Sequence, residues 1–207
     1  LDSDWNGYET LRMKIKNSKR KYGNGDEQTD KYTQAMAEYF AMKVNNRPNA
    51  RGGVYKAIMH SAMQFIWQGW KTSATPDGRK SGEEISKNAS PAPGADKNGV
   101  TSLINSVLKI RPSIYPESFC LDLMLHPSAV SGEEGLGVMK SLLGVYMENG
   151  GMSLQMNVFD TETLRDAQKN PENYQNLQIR VCGWNVLWNN LSRAEQDAYI
   201  ERCENIK

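Results

Sequence analysis

The run Gln178-Ile179-Arg180-Val181-Cys182-Gly183-Trp184-Asn185-Val186-Leu187-Trp188 constrains this chain more than any other stretch. It reads as a buried strand, broken at Gly183 and then resumed. Ile179, Val181, Trp184, Val186, Leu187 and Trp188 make an almost continuous apolar flank, the pattern of a strand covered on both faces. A lone glycine inside a strand marks a bulge, a bend or the close approach of another backbone. On this run alone a structural glycine is the better reading.

The rest of the chain alternates helix and strand signals. Asp4 is a plausible N-cap for a helix through Trp5, Tyr8, Leu11 and Ile15. A basic loop follows, with Lys14, Lys16, Lys19, Arg20 and Lys21 read as a solvated face. The next helix is expected from Asp26 to Asn45, with Tyr32, Met36, Tyr39, Phe40 and Val44 on one face. Arg47-Pro48-Asn49-Ala50-Arg51-Gly52-Gly53 ends it, and the apolar stretch Val54–Trp70 reads as core. Pro76-Asp77-Gly78 is a turn, and Val100–Ile110 a helix.

Ser118–His126 has period two: Phe119, Leu121, Leu123 and Leu125 on one face, Cys120, Asp122, Met124 and His126 on the other. Ser153–Phe159 repeats the pattern, Leu154, Met156 and Val158 against Ser153, Gln155 and Asn157. A helix over 133–148 joins them into a strand–helix–strand unit. In a barrel with outer helices, the apolar faces meet those helices. Asp122, Gln155 and Asn157 then face the lumen, where a small-molecule substrate would sit. The competing reading makes them satisfied buried polar groups. Both stand for Asp122; the second is preferred for Asn157. Ser192 with Glu195 forms a capping box, and the last helix turns Ala198, Tyr199 and Ile200 inward.

Composition excludes more than it identifies. The 207 residues carry a net charge of +1, so nothing argues for nucleic acid or an acidic membrane as partner. No apolar run is long enough to span a bilayer, and no signal peptide is visible. The 3 cysteines, Cys120, Cys182 and Cys203, form no Cys-x-x-Cys or Cys/His cluster, which disfavours zinc, iron–sulfur and disulfide frameworks and points to a reduced cytoplasm. His60 and His126 read as packing or surface residues, and no metal site is expected.

Arg180-Val181-Cys182-Gly183-Trp184 resembles the Arg-Val-x-Gly-(Tyr/Phe/Trp) signature of glycyl radical enzymes. The resemblance extends through Gly150-Gly151-Met152-Ser153-Leu154-Gln155-Met156-Asn157-Val158, Thr163–Tyr174, and Leu191-Ser192 with Glu195, and covers nearly the whole chain. It implies an α/β fold: the C-terminal half of a glycyl radical enzyme-type barrel, ending in a radical loop and a final helix. Residues 1–149 would be half-barrel and 150–207 the glycine radical domain. Gly183 would store the radical, installed by a radical S-adenosylmethionine activating enzyme, with no other cofactor bound. Arg180, Val181, Cys182 and Trp184 would hold its loop. Glycine suits this chemistry, because a planar Cα radical lies between an electron-donating amide and an electron-withdrawing carbonyl, and a side chain would crowd that plane. Oxygen sensitivity implies a buried site and an anaerobic host.

One departure from the family pattern matters. No cysteine here sits in the Cys-Cys or Gly-Cys-x-Glu setting of the family's thiyl residue. Cys182 reads as a small buried hydrophobe, its side chain pointing away from the Gly183 hydrogens. The chain, which begins at Leu1, is therefore expected to be a fragment or one subunit of a split enzyme. A larger partner chain would supply the catalytic cysteine, and the assembled enzyme would be a homo-oligomer. The expected reaction is of lyase or dehydratase type, cleaving a C–O, C–N, C–S or C–C bond. Formate acetyltransferase activity and a radical spare-part role are the alternatives.

Overall fold

The computed structural model describes residues 1–181 and 183–204. In chain order the helices are α1 (Glu9–Lys16), α2 (Glu27–Val44), α3 (Gln64–Trp70), α4 (Gly99–Leu108), α5 (Gly132–Glu148), α6 (Thr161–Lys169) and α7 (Arg193–Glu204). The strands are β1 (Ile58–Met59), β2 (Ser118–Leu125), β3 (Ser153–Val158), β4 (Gln178–Val181) and β5 (Trp184–Leu187). This is the expected mixed α/β architecture with a final helix.

Strands β1, β2 and β3 form a parallel sheet in that order, with Asp122 opposite Gln155 and Met124 opposite Asn157. Parallel neighbours need a crossover, and α5 supplies it between β2 and β3. The apolar face of β2 (Phe119, Leu121, Leu123) packs with Leu103, Ile104 and Val107 of α4 and Leu142 and Tyr146 of α5. On the other side a second core gathers Leu164 and Ala167 of α6, Ile179 and Val181 of β4, Trp188, and Tyr199 and Ile200 of α7, with Met124 of β2 against it. The sheet thus separates the two cores, and Asp122, Gln155 and Asn157 lie buried on its second face.

Gly151, in the turn before β3, has a packing reason. A Cβ there would lie 2.4 Å from the ring of Tyr146, a fully buried side chain whose hydroxyl donates to the Ser153 carbonyl. Gly151→Ala is expected to force the ring aside and to cost about 1–3 kcal/mol. Chemical denaturation checks this; an unchanged midpoint would mean that the ring has room to move.

Three expectations need correction. The first helix starts at Glu9, because Asp4 and Trp5 take left-handed φ angles of 51° and 66°. Trp5 instead anchors the N-terminal turn by burying its indole and donating to the Arg79 carbonyl at 3.1 Å. Helix α2 has the expected bounds, and Asp26 caps it by accepting from the Thr29 amide. Its large residues face outward, however: Tyr32, Met36, Tyr39 and Phe40 are all exposed. Asp30, Ala37 and Ala41 face inward, and the small alanines let Tyr115 approach closely enough for its hydroxyl to donate to the Ala37 carbonyl.

The third correction concerns the C-terminal run. Strands β4 and β5 form an antiparallel hairpin, in which Val181 pairs with Trp184 and Gly183 lies in the turn. Among the described residues of the run, Ile179 and Val181, with Trp188 beyond, are fully buried, while Trp184 and Leu187 are exposed. A chain that reverses at Gly183 can press only one face of each strand on the core. The capping box at the end forms as expected, the Ser192 amide donating to Glu195 Oε2 and the Glu195 amide to Ser192 Oγ.

Candidate functional site

Gly183 sits at the tip of the hairpin with φ +105°, a conformation that L side chains rarely adopt. Apart from its two chain neighbours, no described heavy atom lies within 4 Å of the place a Cβ would occupy. The Cα hydrogen in that position therefore points into open space, and the glycine is exposed within this chain. Burial of the glycine is not supplied by the described residues. Cys182 lies outside them.

The hairpin is held from below. Val181 is 1% exposed in the second core, and the Trp188 amide donates to the Leu177 carbonyl at 2.8 Å, closing the base. The Arg180 guanidinium donates across the strands to Asn185 Oδ1 at 3.2 Å, and Asn185 Nδ2 donates to Gln178 Oε1 at 3.0 Å. Trp184 is half-exposed beside the glycine.

The backbone of Arg180 is bound by side chains of β3. Its amide donates to Asn157 Oδ1 at 3.2 Å, while Asn157 Nδ2 and Gln155 Nε2 donate to its carbonyl at 3.3 and 2.8 Å. Gln155 Nε2 donates also to Asp122 Oδ1 at 2.7 Å. Both of its partners are acceptor oxygens, which settles which end of the amide carries the nitrogen.

Asp122 is the hub of this layer. Lys87 Nζ stands 2.9 Å from Asp122 Oδ1, with both side chains 3% exposed, and the contact is an ion pair more than a directed hydrogen bond. Asn88 Nδ2 donates to Asp122 Oδ2, and the Asp122 amide donates to Ser90 Oγ. The Lys87 ammonium also lies over the rings of Tyr199 and Phe65, 5.5 and 5.9 Å from their centroids. Burial pulls the Lys87 pKa down, but attraction to Asp122 and then to Tyr199 outweighs it, and the pKa ends above its ordinary value. The lysine thus carries its charge inside the protein.

The three polar residues of the sheet face are brought together, and all three lead to Arg180 or to Lys87. The sequence reading missed Lys87, Asn88 and Tyr199 as parts of this layer. No local pattern marked them, because the contacts to Asp122 are tertiary. Of the described cysteines, Cys120 is buried on β2, and Cys203 is buried in the second core, where burial pushes its thiol up to about 12. His60 and His126 are exposed. Among the described residues no cluster of His, Cys, Asp or Glu could hold a metal ion, and no helix is long and apolar enough to cross a membrane.

A glycine at positive φ, on a hairpin tip braced by buried amides, defines a glycine-loop site on an α/β scaffold. Comparison with known proteins gives it a family. The Glycine radical family model matches residues 85–189, and the Pyruvate formate lyase-like model matches residues 1–69. Trans-4-hydroxy-L-proline dehydratase of Clostridioides difficile is 37% identical over 204 residues, 99% of this chain and 26% of that protein. The 4-hydroxyphenylacetate decarboxylase glycyl radical subunit of Clostridioides difficile is 35% identical over 185 residues, 89% of this chain and 20% of that one. The glycerol-bound B12-independent glycerol dehydratase from Clostridium butyricum superposes with a TM-score of 0.92 at 35% identity, over 98% of this chain and 26% of that one. The chain belongs to the glycyl radical enzymes. It spans about a quarter of the length of these relatives.

Proposed function

We propose that this chain carries the glycyl radical of a lyase, with Gly183 as the radical residue. The observation that carries the reading is Gly183 itself: the glycine of the family signature, at a hairpin tip, with φ +105° and open space beside its Cα. A radical S-adenosylmethionine activating enzyme removes one Cα hydrogen atom. The glycyl radical then takes the hydrogen atom of a cysteine S–H, restoring the glycine and leaving a thiyl radical that attacks the substrate. The thiyl radical takes a hydrogen atom from the substrate, the product radical takes one back from the cysteine S–H, and the re-formed thiyl radical recovers the Cα hydrogen of the glycine, so each cycle is balanced.

In this reading residues 1–149 belong to the barrel wall and 150–207 carry the radical loop. Arg180, Val181, Cys182 and Trp184 shape that loop. The cysteine comes from a larger partner chain, which also shields Gly183 from oxygen, in the reduced cytoplasm of an anaerobe. The exposed α2 residues Tyr32, Met36, Tyr39 and Phe40 suit such a contact. The Asp122 carboxylate meets Lys87 and Asn88, and the side-chain amide nitrogens of Gln155 and Asn157 meet the Arg180 carbonyl, which favours buried polar groups over substrate ligands, although Gln155 Oε1 is buried without a hydrogen-bond partner among the described residues.

Dehydration or decarboxylation of a small substrate is preferred over acyl transfer because the relatives are named as dehydratases and a decarboxylase. The test is anaerobic activation of the enzyme containing this chain, followed by product analysis with small hydroxylated compounds and, separately, with pyruvate and coenzyme A. Elimination products from the unsubstituted protein and none from Gly183→Ala are expected. Equal turnover by Gly183→Ala would sink the radical role, and acetyl-coenzyme A formation would move the chain to the acyltransferase branch.

A further inference from the structure

The hairpin of β4 and β5 is a two-stranded sheet, so among the described residues the outer edge of β4 has no strand beside it. Such an edge leaves amides and carbonyls that need partners. At Arg180 both backbone groups point away from β5, because in an antiparallel strand the amide and carbonyl of one residue face the same side. Here they meet side chains where a third strand would otherwise lie. Asn157 accepts from the Arg180 amide and donates to its carbonyl, as a strand neighbour would, and Gln155 adds a second donor to the same carbonyl. Gln155 and Asn157 are 7% and 5% exposed, so water does not compete for these bonds.

Gln155 is in turn fixed by Asp122, and Asp122 by Lys87, which sits over the ring of Tyr199 on α7. The polar layer therefore ties the strand that leads into Gly183 to both the parallel sheet and the final helix. Arg180 is three positions before Gly183, too near for the loop tip to shift while the clasp holds.

We infer that Gln155 and Asn157 are positioning residues for the radical glycine: their side-chain amides act as a surrogate strand on the edge of β4 and fix where Gly183 stands. This deepens the radical reading of Gly183 and rests on it. The two amides touch neither substrate nor the reacting atoms; they act through the Arg180 peptide.

The experiment compares the activated whole enzyme with its Gln155→Met and Asn157→Ala variants. Methionine keeps the volume of glutamine and removes both donated bonds; alanine removes the two-way contact of Asn157. Three quantities are read: spin content by electron paramagnetic resonance, turnover per spin with KM, and hydrogen exchange at the Arg180 amide. Each variant is expected to lower turnover per spin about tenfold or more with KM unchanged, and to speed Arg180 exchange by a similar factor. Amides inside α7 are expected to exchange as before. Turnover per spin within about twofold of the unsubstituted enzyme in both variants overturns the inference. So does faster exchange throughout α7 by the same factor, because that reports a general loss of stability. A missing radical signal in the unsubstituted enzyme overturns the reading of Gly183 itself, and the positioning role with it.

Discussion

Air admitted after anaerobic activation is expected to cut this chain at Gly183. A backbone carbon radical adds oxygen, and the resulting peroxyl centre leads to scission of the main chain. The cut falls in the turn between β4 and β5, so the C-terminal piece starts close to Trp184 and keeps the whole of α7. The open space beside the Gly183 Cα leaves oxygen free to approach it within this chain. Cleavage needs prior activation, and Gly183→Ala is expected to abolish it. The variant carries its own cost. At φ +105° an alanine is strained by about 1–3 kcal/mol, although its methyl group meets no described atom within 4 Å beyond its chain neighbours. Circular dichroism shows whether it folds, and mass spectrometry locates the cut. An activated chain that stays whole in air, or breaks elsewhere, would reduce Gly183 to a structural turn residue.

Lys87→Met is expected to destabilise the protein by about 3–5 kcal/mol, because it leaves the Asp122 carboxylate buried without its counter-ion. Asn88 and Gln155 still donate to that carboxylate, but they carry no charge. Replacing both partners, as in Lys87→Met with Asp122→Leu, is expected to cost less than the single change, because no lone charge then remains inside. Gln155 loses its tether in the double variant, so the clasp on Arg180 loosens while the core survives. Urea denaturation of the three forms measures the difference. A loss below about 1 kcal/mol for Lys87→Met would mean that the pair is hydrated and is not the hub of the layer.

Local signals were readable where the residues that specify an element lie within it. The alternation of Phe119 to Leu125 gave β2, and that of Ser153 to Val158 gave β3. Asp26 and the Ser192–Glu195 pair gave helix starts through their own hydrogen bonds. Orientation was harder. On α2 the bulky residues suggested a buried face, but the helix packs by its smallest ones, since only alanine lets the Tyr115 hydroxyl reach the backbone. Trp5 left the helix pattern because its indole found a partner at Arg79, seventy-odd residues away in sequence.

The candidate site divides the same way. Gly183 was legible because a short signature marks it, and the proposed radical chemistry asks for a residue without a side chain. The hairpin was not, because apolar residues on both sides of a glycine look alike whether the strand continues or reverses. Asp122, Gln155 and Asn157 were visible as polar residues on sheet faces. The target of Gln155 and Asn157 was not, since the Arg180 peptide presents only backbone atoms, which no sequence pattern records.

The most direct measurement is electron paramagnetic resonance on anaerobically activated protein made with ordinary glycine, with glycine deuterated at Cα, and as Gly183→Ala. One hydrogen remains on the Cα of a glycyl radical, so the ordinary protein is expected to give a doublet. The deuterated protein is expected to collapse it towards a single line, because deuterium couples far more weakly to the electron. Gly183→Ala is expected to give no such signal. A doublet that ignores the label, or one that persists in Gly183→Ala, would contradict the assignment of the radical to Gly183.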